Sequence, residues 1–248
     1  MKILGVIPAR YASTRFPGKP LADLRGKTMI QRVYEQCKKA TRLTDVVVAT
    51  DHPKILETVT AFGGSVCLTA EHHPSGTDRC HEAWQKQDGH YDYVINIQGD
   101  EPFIAPEQID LLASILDGDA ELATLIKAIS HPEVIVNPNV VKVVVNQMGE
   151  ALYFSRSPIP HVRGSAPNEW LGKHIFYKHI GMYGYRTDVL TKITRLPVST
   201  LERAESLEQL RWLENGYRIK TAVTDLETVG IDTPEDLAEA VRQLQKSS

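Results

Sequence analysis

A chain of 248 residues, 42% hydrophobic and 24% charged, carries enough apolar material for one sizeable core, or for a core with a subsidiary lobe. Its formal charge of −3 excludes a general attraction to nucleic acid or to an anionic membrane, so any basic site must act locally. No apolar run is long enough to span a bilayer and the opening residues already read as a strand, so a soluble, cytoplasmic protein is expected.

Lys2 to Ile7 is a short apolar, branched run and predicts a buried strand. Pro8, Pro17 and Pro20 lack amide hydrogens, so the stretch after it, 8–20, is a loop with Gly18 relaxing its backbone. Thr28 to Ala40 has helical apolar spacing. Asp45 to Thr50 predicts the second strand, and Asp51-His52-Pro53 opens a helix closed by Gly63-Gly64. Strand 65–68, a helix carrying Cys80, Ala83 and Trp84, strand 93–97 and a helix from Pro106 follow. Four strand–helix repeats with short loops argue for an α/β fold whose mostly parallel sheet has helices on both faces. Cys37 on a helix pattern and Cys67 on a strand pattern read as core thiols. With Cys80 they make an odd set without metal spacing, which fits a reducing compartment.

The second half changes rhythm. Strands are predicted at 122–126, 140–145, 152–155 and 178–186, with an excursion at 131–139 and a loop at 161–174. Glu205 to Leu213 predicts one helix, 218–223 a strand and 229–232 a short one. Thr233, Pro234 and Asp236 specify the start of a last helix through a capping box. A single domain over 1–248 is expected, with about 150–190 as a subsidiary region. The apolar side chains of Tyr153, Phe154, Ile159, Trp170 and 176–177 are candidates for a subunit interface there, core packing being the competing explanation.

Arg10, Arg15 and Lys19 follow the first strand at spacings of five and four, with Ser13 between them. At the carboxyl end of an α/β strand this set suits a polyphosphate, because an Arg fork takes paired oxygens and Lys acts as a point charge. Asp100 lies just beyond the fourth strand and Asp232 ends a later strand-like run, so both are candidates to hold Mg²⁺ against phosphates. A structural pairing of Asp100 with a loop cation, and a surface position for Asp232, stay open. Ser75 to Arg79 reads equally as a helix cap or a ligand contact. His72-His73 reads as exposed loop. Neither Gly-x-Gly-x-x-Gly nor a Lys-Ser/Thr phosphate loop is present, which lowers dinucleotide and ordinary ATPase readings.

The run Ala9-Arg10-x-x-Ser13-x-Arg15-x-Pro17-Gly18-Lys19 resembles the nucleotide-sugar cytidylyltransferases. Gln98-Gly99-Asp100-Glu101-Pro102, Ala151 to Arg156, Lys178 to Gly181, Leu207 to Arg211 and Val229 to Asp236 narrow the resemblance to the 3-deoxy-manno-octulosonate (Kdo) cytidylyltransferases. That resemblance implies a Rossmann-like nucleotidyltransferase fold and a cytoplasmic, Mg²⁺-dependent homodimer. The implied reaction moves CMP from CTP to the 2-hydroxyl of Kdo for lipopolysaccharide assembly. It further implies that Ala9, Arg10, Ser13, Arg15, Lys19, Ser75, Arg79 and Gln98 face the nucleotide and that Asp100 and Asp232 hold the metal. On the sugar side it implies Gln98, Arg156, His179, Tyr183, Glu208 and Gln209. Taken alone, Arg156 in its Pro-braced segment suits an acid-sugar carboxylate, a structural or interface arginine being the alternative, and Glu208-Gln209 reads as a solvated helix face. An 8-amino-Kdo acceptor, another 2-keto sugar acid and a non-catalytic CTP-binding module remain open.

Overall fold

A computed structural model describes residues 1–12, 16–227 and 230–246, with side chains described as far as 242. The chain forms two compact units. One comprises Met1–Ala113 with the carboxyl-terminal segment, and the other Ser114–Glu227. The region expected to be subsidiary, 150–190, lies within the second.

In the first unit, strands β1 (Ile3–Ala9), β2 (Asp45–Thr50), β3 (Val66–Leu68) and β4 (Tyr93–Asn96) alternate with helices α1 (Met29–Cys37), α2 (Pro53–Ala61) and α3 (Gly76–Gln85), and α4 (Pro106–Ser114) follows. Every pairing here is parallel, in the order β3-β2-β1-β4. β1 and β4 read as near-continuous apolar runs because helices cover both faces, and all but Pro8 of β1 is buried. α1 begins where the Thr28 hydroxyl accepts the Gln31 N–H, and it turns Met29, Ile30, Val33 and Cys37 inward. β1 connects to β2 on one side while β4 lies on the other. The strand order therefore reverses between β1 and β4, which opens a crevice at their carboxyl ends. Cys37 is a core thiol as expected; Cys67, on the short β3, is only half-buried.

The carboxyl-terminal segment supplies α9 (Pro234–Lys246) to this unit. Ile231, Leu237 and Ala240 pack with Leu24, Met29 and Phe103. The capping box forms: Asp236 N–H donates to the Thr233 hydroxyl (3.2 Å) and Thr233 N–H to the Asp236 carboxylate (2.9 Å). Residues 230–232 are not a strand, contrary to the expectation, and Val229 lies outside the described residues.

The second unit contains β5 (Leu122–Ala128), α5 (Pro132–Val136), β6 (Lys142–Val145), β7 (Ala151–Ser155), β8 (Tyr177–Arg186), α6 (Thr187–Ile193), α7 (Thr200–Glu205), α8 (Gln209–Glu214) and β9 (Ile219–Val223). β8 runs antiparallel to β5 and β6, β6 antiparallel to β7, and β9 parallel to β5. The parallel rule thus holds for the first unit, and the pairings of the second are mixed. A bulge in β8 opposite Thr124/Leu125 is bridged by the Thr124 hydroxyl, which reaches the carbonyls of Ile180 (3.2 Å) and Met182 (2.8 Å).

One sequence expectation is corrected here, and one choice left open is decided. Glu205–Leu213 is not one helix: Ser206 adopts φ +53 and ends α7, and α8 starts at Gln209. Leucine periodicity ran through the break because Leu207 and Leu210 are both buried despite it. Phe154, Trp170 and Phe176 are core residues rather than interface, with Trp170 and Phe176 stacked at 5.7 Å beside Ile129 and Ile135.

Candidate active site

The crevice at the ends of β1 and β4 is a cavity of about 380 Å³. Pro8, Ala9 and Arg10 line it from the end of β1, and Gln98, Gly99 and Asp100 from the end of β4. Gly99 is required for this closure. A Cβ on it would lie 2.6 Å from the Pro8 carbonyl oxygen, inside any real contact.

The loop after β1 is pinned at both described ends. Tyr11 N–H donates to Asp51 (3.1 Å) and its ring stacks on His52 at 3.9 Å. Gly18, at φ +71, donates its N–H to the Tyr11 carbonyl (3.0 Å) and caps the 3-10 turn Lys19–Leu21. Only glycine takes this left-handed conformation without strain. The turn aims Lys19 inward, where its ammonium donates to Asp100 (2.7 Å) and Asp232 (3.1 Å). The Lys19 side chain keeps 15% of its surface, against 31% and 46% for the two carboxylates. Residues 81 and 213 positions away in sequence thus meet on one charge. The Ile231 N–H donates to the Asp100 carbonyl (2.9 Å), which ties the two segments independently of their side chains. Arg10 is exposed at the rim. Ser13 and Arg15 lie outside the described residues.

The opposite wall is the start of α3. Ser75 does cap the helix, accepting the Asp78 N–H (3.2 Å) while its hydroxyl donates to the Asp78 carboxylate (2.6 Å). It also lines the cavity, so capping and ligand contact are compatible at this residue. A helix amino terminus facing a cavity favours anions through its outward-pointing N–H groups and dipole. Arg79 lines the cavity as well but is nearly buried. Its guanidinium pairs with Asp51 (3.0 Å) and donates to the Thr69 hydroxyl (2.5 Å). His73 was missed. Adjacent histidines in a polar loop suggest exposure, yet the His73 imidazole meets Glu82 and lines the cavity, while His72 is exposed. Glu82, one helical turn beyond Asp78, was the sequence signal for an inward partner. Burial opposes its charge, but the Lys86 ammonium, the Ala70 N–H and His73 together hold its carboxyl down at about 2.

The remaining predicted residues belong to the second unit. His179 and Tyr183 come together on β8, ring centroids 5.1 Å apart. The His179 ring meets the Thr124 hydroxyl (3.0 Å) and the edge of Phe154, and burial pushes its imidazole down to about 3. Tyr183 packs edge-on to Trp212 at 5.0 Å, and burial raises its phenol well above the usual value. His179 is therefore a neutral imidazole at physiological pH. Gln209 is buried and Glu208 half-buried, which overturns their reading as a solvated face. Arg156 directs Nε to the Glu205 carbonyl (2.8 Å) and one terminal nitrogen to that of Pro138 (3.2 Å).

Two carboxylates on one cation suit a metal that completes its shell from phosphates and water. No group of three or more His, Cys, Asp or Glu that could hold a metal exists among the described residues. Among those residues no helix is long and apolar enough to cross a membrane.

Residues 4–220 match a family model described as cytidylyltransferase. The chain is 61% identical to a 3-deoxy-manno-octulosonate cytidylyltransferase of Cytophaga hutchinsonii, over 96% of this chain and 95% of that one. It is 58% identical to another from Parabacteroides distasonis, over 97% of each. A solved structure of a CMP:2-keto-3-deoxy-manno-octonic acid synthetase complexed with CTP matches all of both chains at 44% identity and a TM-score of 0.93. A 4-diphosphocytidyl-2C-methyl-D-erythritol synthase from Anaerococcus prevotii, 12% identical at a TM-score of 0.63, shares the fold. The chain belongs to the 3-deoxy-manno-octulosonate cytidylyltransferases.

Proposed function

We propose that this enzyme transfers CMP from CTP to the anomeric 2-hydroxyl of Kdo and releases pyrophosphate, making CMP-Kdo for lipopolysaccharide synthesis. The observation that carries this reading beyond family membership is the meeting of Lys19, Asp100 and Asp232 in a cavity walled by a helix amino terminus. The sugar hydroxyl attacks the α-phosphorus in line. The new O–P bond forms as the bond to the β-phosphate oxygen breaks, and the hydroxyl proton goes to solvent. Lys19 and Arg10 bind the triphosphate and hold charge as it moves onto pyrophosphate, the part positioned cations play in phosphoryl and nucleotidyl transfer. The amino terminus of α3 adds neutral N–H donors on the other wall, where Ser75 lines the cavity. Gln98 lines the same cavity from the end of β4.

Asp100 and Asp232 are the pair that would hold Mg²⁺. Bound there, it supplies Lewis-acid charge to the phosphate oxygens and eases ionisation of the acceptor hydroxyl. Arg156, His179, Tyr183, Glu208 and Gln209 read as the acid-sugar side. With its low pKa, His179 serves there as a neutral hydrogen-bonding group and not as a cation. Pyrophosphate release with CTP and Mg²⁺ should be fastest with Kdo in a panel that includes its 8-amino analogue and sialic acid. Release with none of them overturns the reading.

The protein also reads as a homodimer, supported by apolar surface on the second unit, where Leu152 (59% exposed) and Ile175 (61%) face outward. Light scattering at low concentration tests it, and a monomer mass removes it.

A further inference from the structure

Lys142, at the start of β6, has no accessible surface although it carries a charge. Its ammonium donates to three main-chain carbonyls, those of Asn137 (2.8 Å), Val140 (2.6 Å) and Arg156. Burial of this kind disfavours the charged form and lowers the Lys142 pKa. A hydrocarbon of equal length would fill the same space without that penalty, so packing does not explain an ammonium here. Its three acceptors do: two lie in the 137–140 turn and the third is at Arg156, and a tetrahedral donor joins them.

Glu205 completes the arrangement from the end of α7. One carboxylate oxygen accepts the Ser155 hydroxyl (2.6 Å) and the other the Arg156 N–H (2.9 Å). The Arg156 guanidinium returns to the carbonyls of Glu205 and Pro138. Lys142 and Arg156 together lace the segments 137–140, 155–156 and 205–206. Immediately after Glu205 the chain turns at Ser206, φ +53, and enters Glu208 and Gln209. The lacing therefore fixes, from one buried point, the residues read above as facing the sugar acid.

We infer that Lys142 and Glu205 are positioning residues for the acid-sugar side of the reaction, setting Arg156 and the Glu208–Gln209 turn through carbonyl and carboxylate contacts. The inference rests on the sugar-side reading of Arg156, Glu208 and Gln209. Lys142→Ala should raise KM for Kdo about tenfold while KM for CTP moves less than about twofold. A general loss of structure would move both. Adding n-propylammonium, which replaces the deleted chain and its charge, should restore the Kdo KM saturably, whereas equal concentrations of sodium should not. Glu205→Gln keeps shape, removes charge and should shift the Kdo KM in the same direction; it carries the test should Lys142→Ala fail to fold. Arg156→Gln separates the two readings. If it raises the Kdo KM while Lys142→Ala and Glu205→Gln do not, the positioning role is overturned and the sugar-side reading stands. If Arg156→Gln leaves the Kdo KM unchanged, both are overturned.

Discussion

The two units handle charge in opposite ways. In the first, Lys19, Asp100 and Asp232 are each delivered by a short local device, a glycine turn, a strand end or the approach to a helix cap, although Arg79 beside them is buried against Asp51. Lys19, Asp100 and Asp232 keep part of their surface, and water or a ligand can compete for each of them. In the second, Lys142 and Gln209 are buried, and Lys142 joins the neighbouring 137–140 turn to the Arg156 carbonyl. Partly exposed charges brought together by local geometry can exchange one another for a ligand. Buried charges bonded to carbonyls are already committed, and act by holding other groups in place. Single substitutions should therefore change chemistry in the first unit and geometry in the second.

The largest expected effect tests the first half of that contrast. Asp100→Ala removes one of two carboxylates from the shared cation, yet its main-chain bond from Ile231 remains. Turnover should fall roughly 10³-fold, about 4 kcal/mol in barrier, with a melting temperature near that of the unaltered protein. Pyrophosphate release and a thermal melt measure the two. Full Mg²⁺-dependent activity would dissociate Asp100 from the metal.

Gly99→Ala should act on the same site through the backbone. Its new methyl would meet the Pro8 carbonyl at 2.6 Å, so β1 or the Asp100 turn must move. A loss of about 1–3 kcal/mol in urea unfolding is expected, with activity lost beyond the unfolded fraction. Unchanged stability would mean that the crevice tolerates separation of its two strand ends.

These two residues also show how much of the molecule was legible beforehand. The first unit was readable almost element by element, because parallel strands and amphipathic helices write their period into consecutive residues. The convergence of Lys19 with Asp100 followed from a rule about strand ends. Gly99 carried no signal beyond being a glycine, since the atom it avoids belongs to Pro8. His73 was misread because its partner, Glu82, sits on a helix nine positions away. In the second unit, leucines at 207, 210 and 213 mimicked a helix across a break that only the backbone at Ser206 reveals. Gln209 took its meaning from resemblance alone, and Arg156 from its charge and flanking prolines together with resemblance. Their surroundings come from segments distant in sequence, which no local pattern encodes.

The third expectation belongs to the second unit and is a matter of pH. His179 has its pKa pushed down to about 3 by burial, from an ordinary value near 6.5 in the unfolded chain. Between those values the unfolded state binds the extra proton and the folded state does not. The neutral imidazole thus contributes stability above pH 6.5 that is lost as pH falls toward 3, at up to about 1.4 kcal/mol per pH unit. His179→Gln should flatten that acid limb in denaturant titrations at successive pH values. An identical slope would place the proton uptake on another group.

The smallest effects separate a cap from a ligand contact. Ser75 and Thr233 each cap a helix through a hydroxyl that accepts an N–H three residues on, at 3.2 Å in both cases. Replacing either by Ala should cost about 1 kcal/mol of stability through the unsatisfied amide. Ser75 lines the cavity and Thr233 does not. If the amino terminus of α3 binds phosphate, Ser75→Ala should also raise KM for CTP severalfold while Thr233→Ala leaves it unchanged, because α9 is capped without facing the cavity. Equal CTP saturation in the two variants at equal loss of stability would reduce Ser75 to a structural cap. The nucleotide would then be held by the cations after β1, with no share from the helix opposite them.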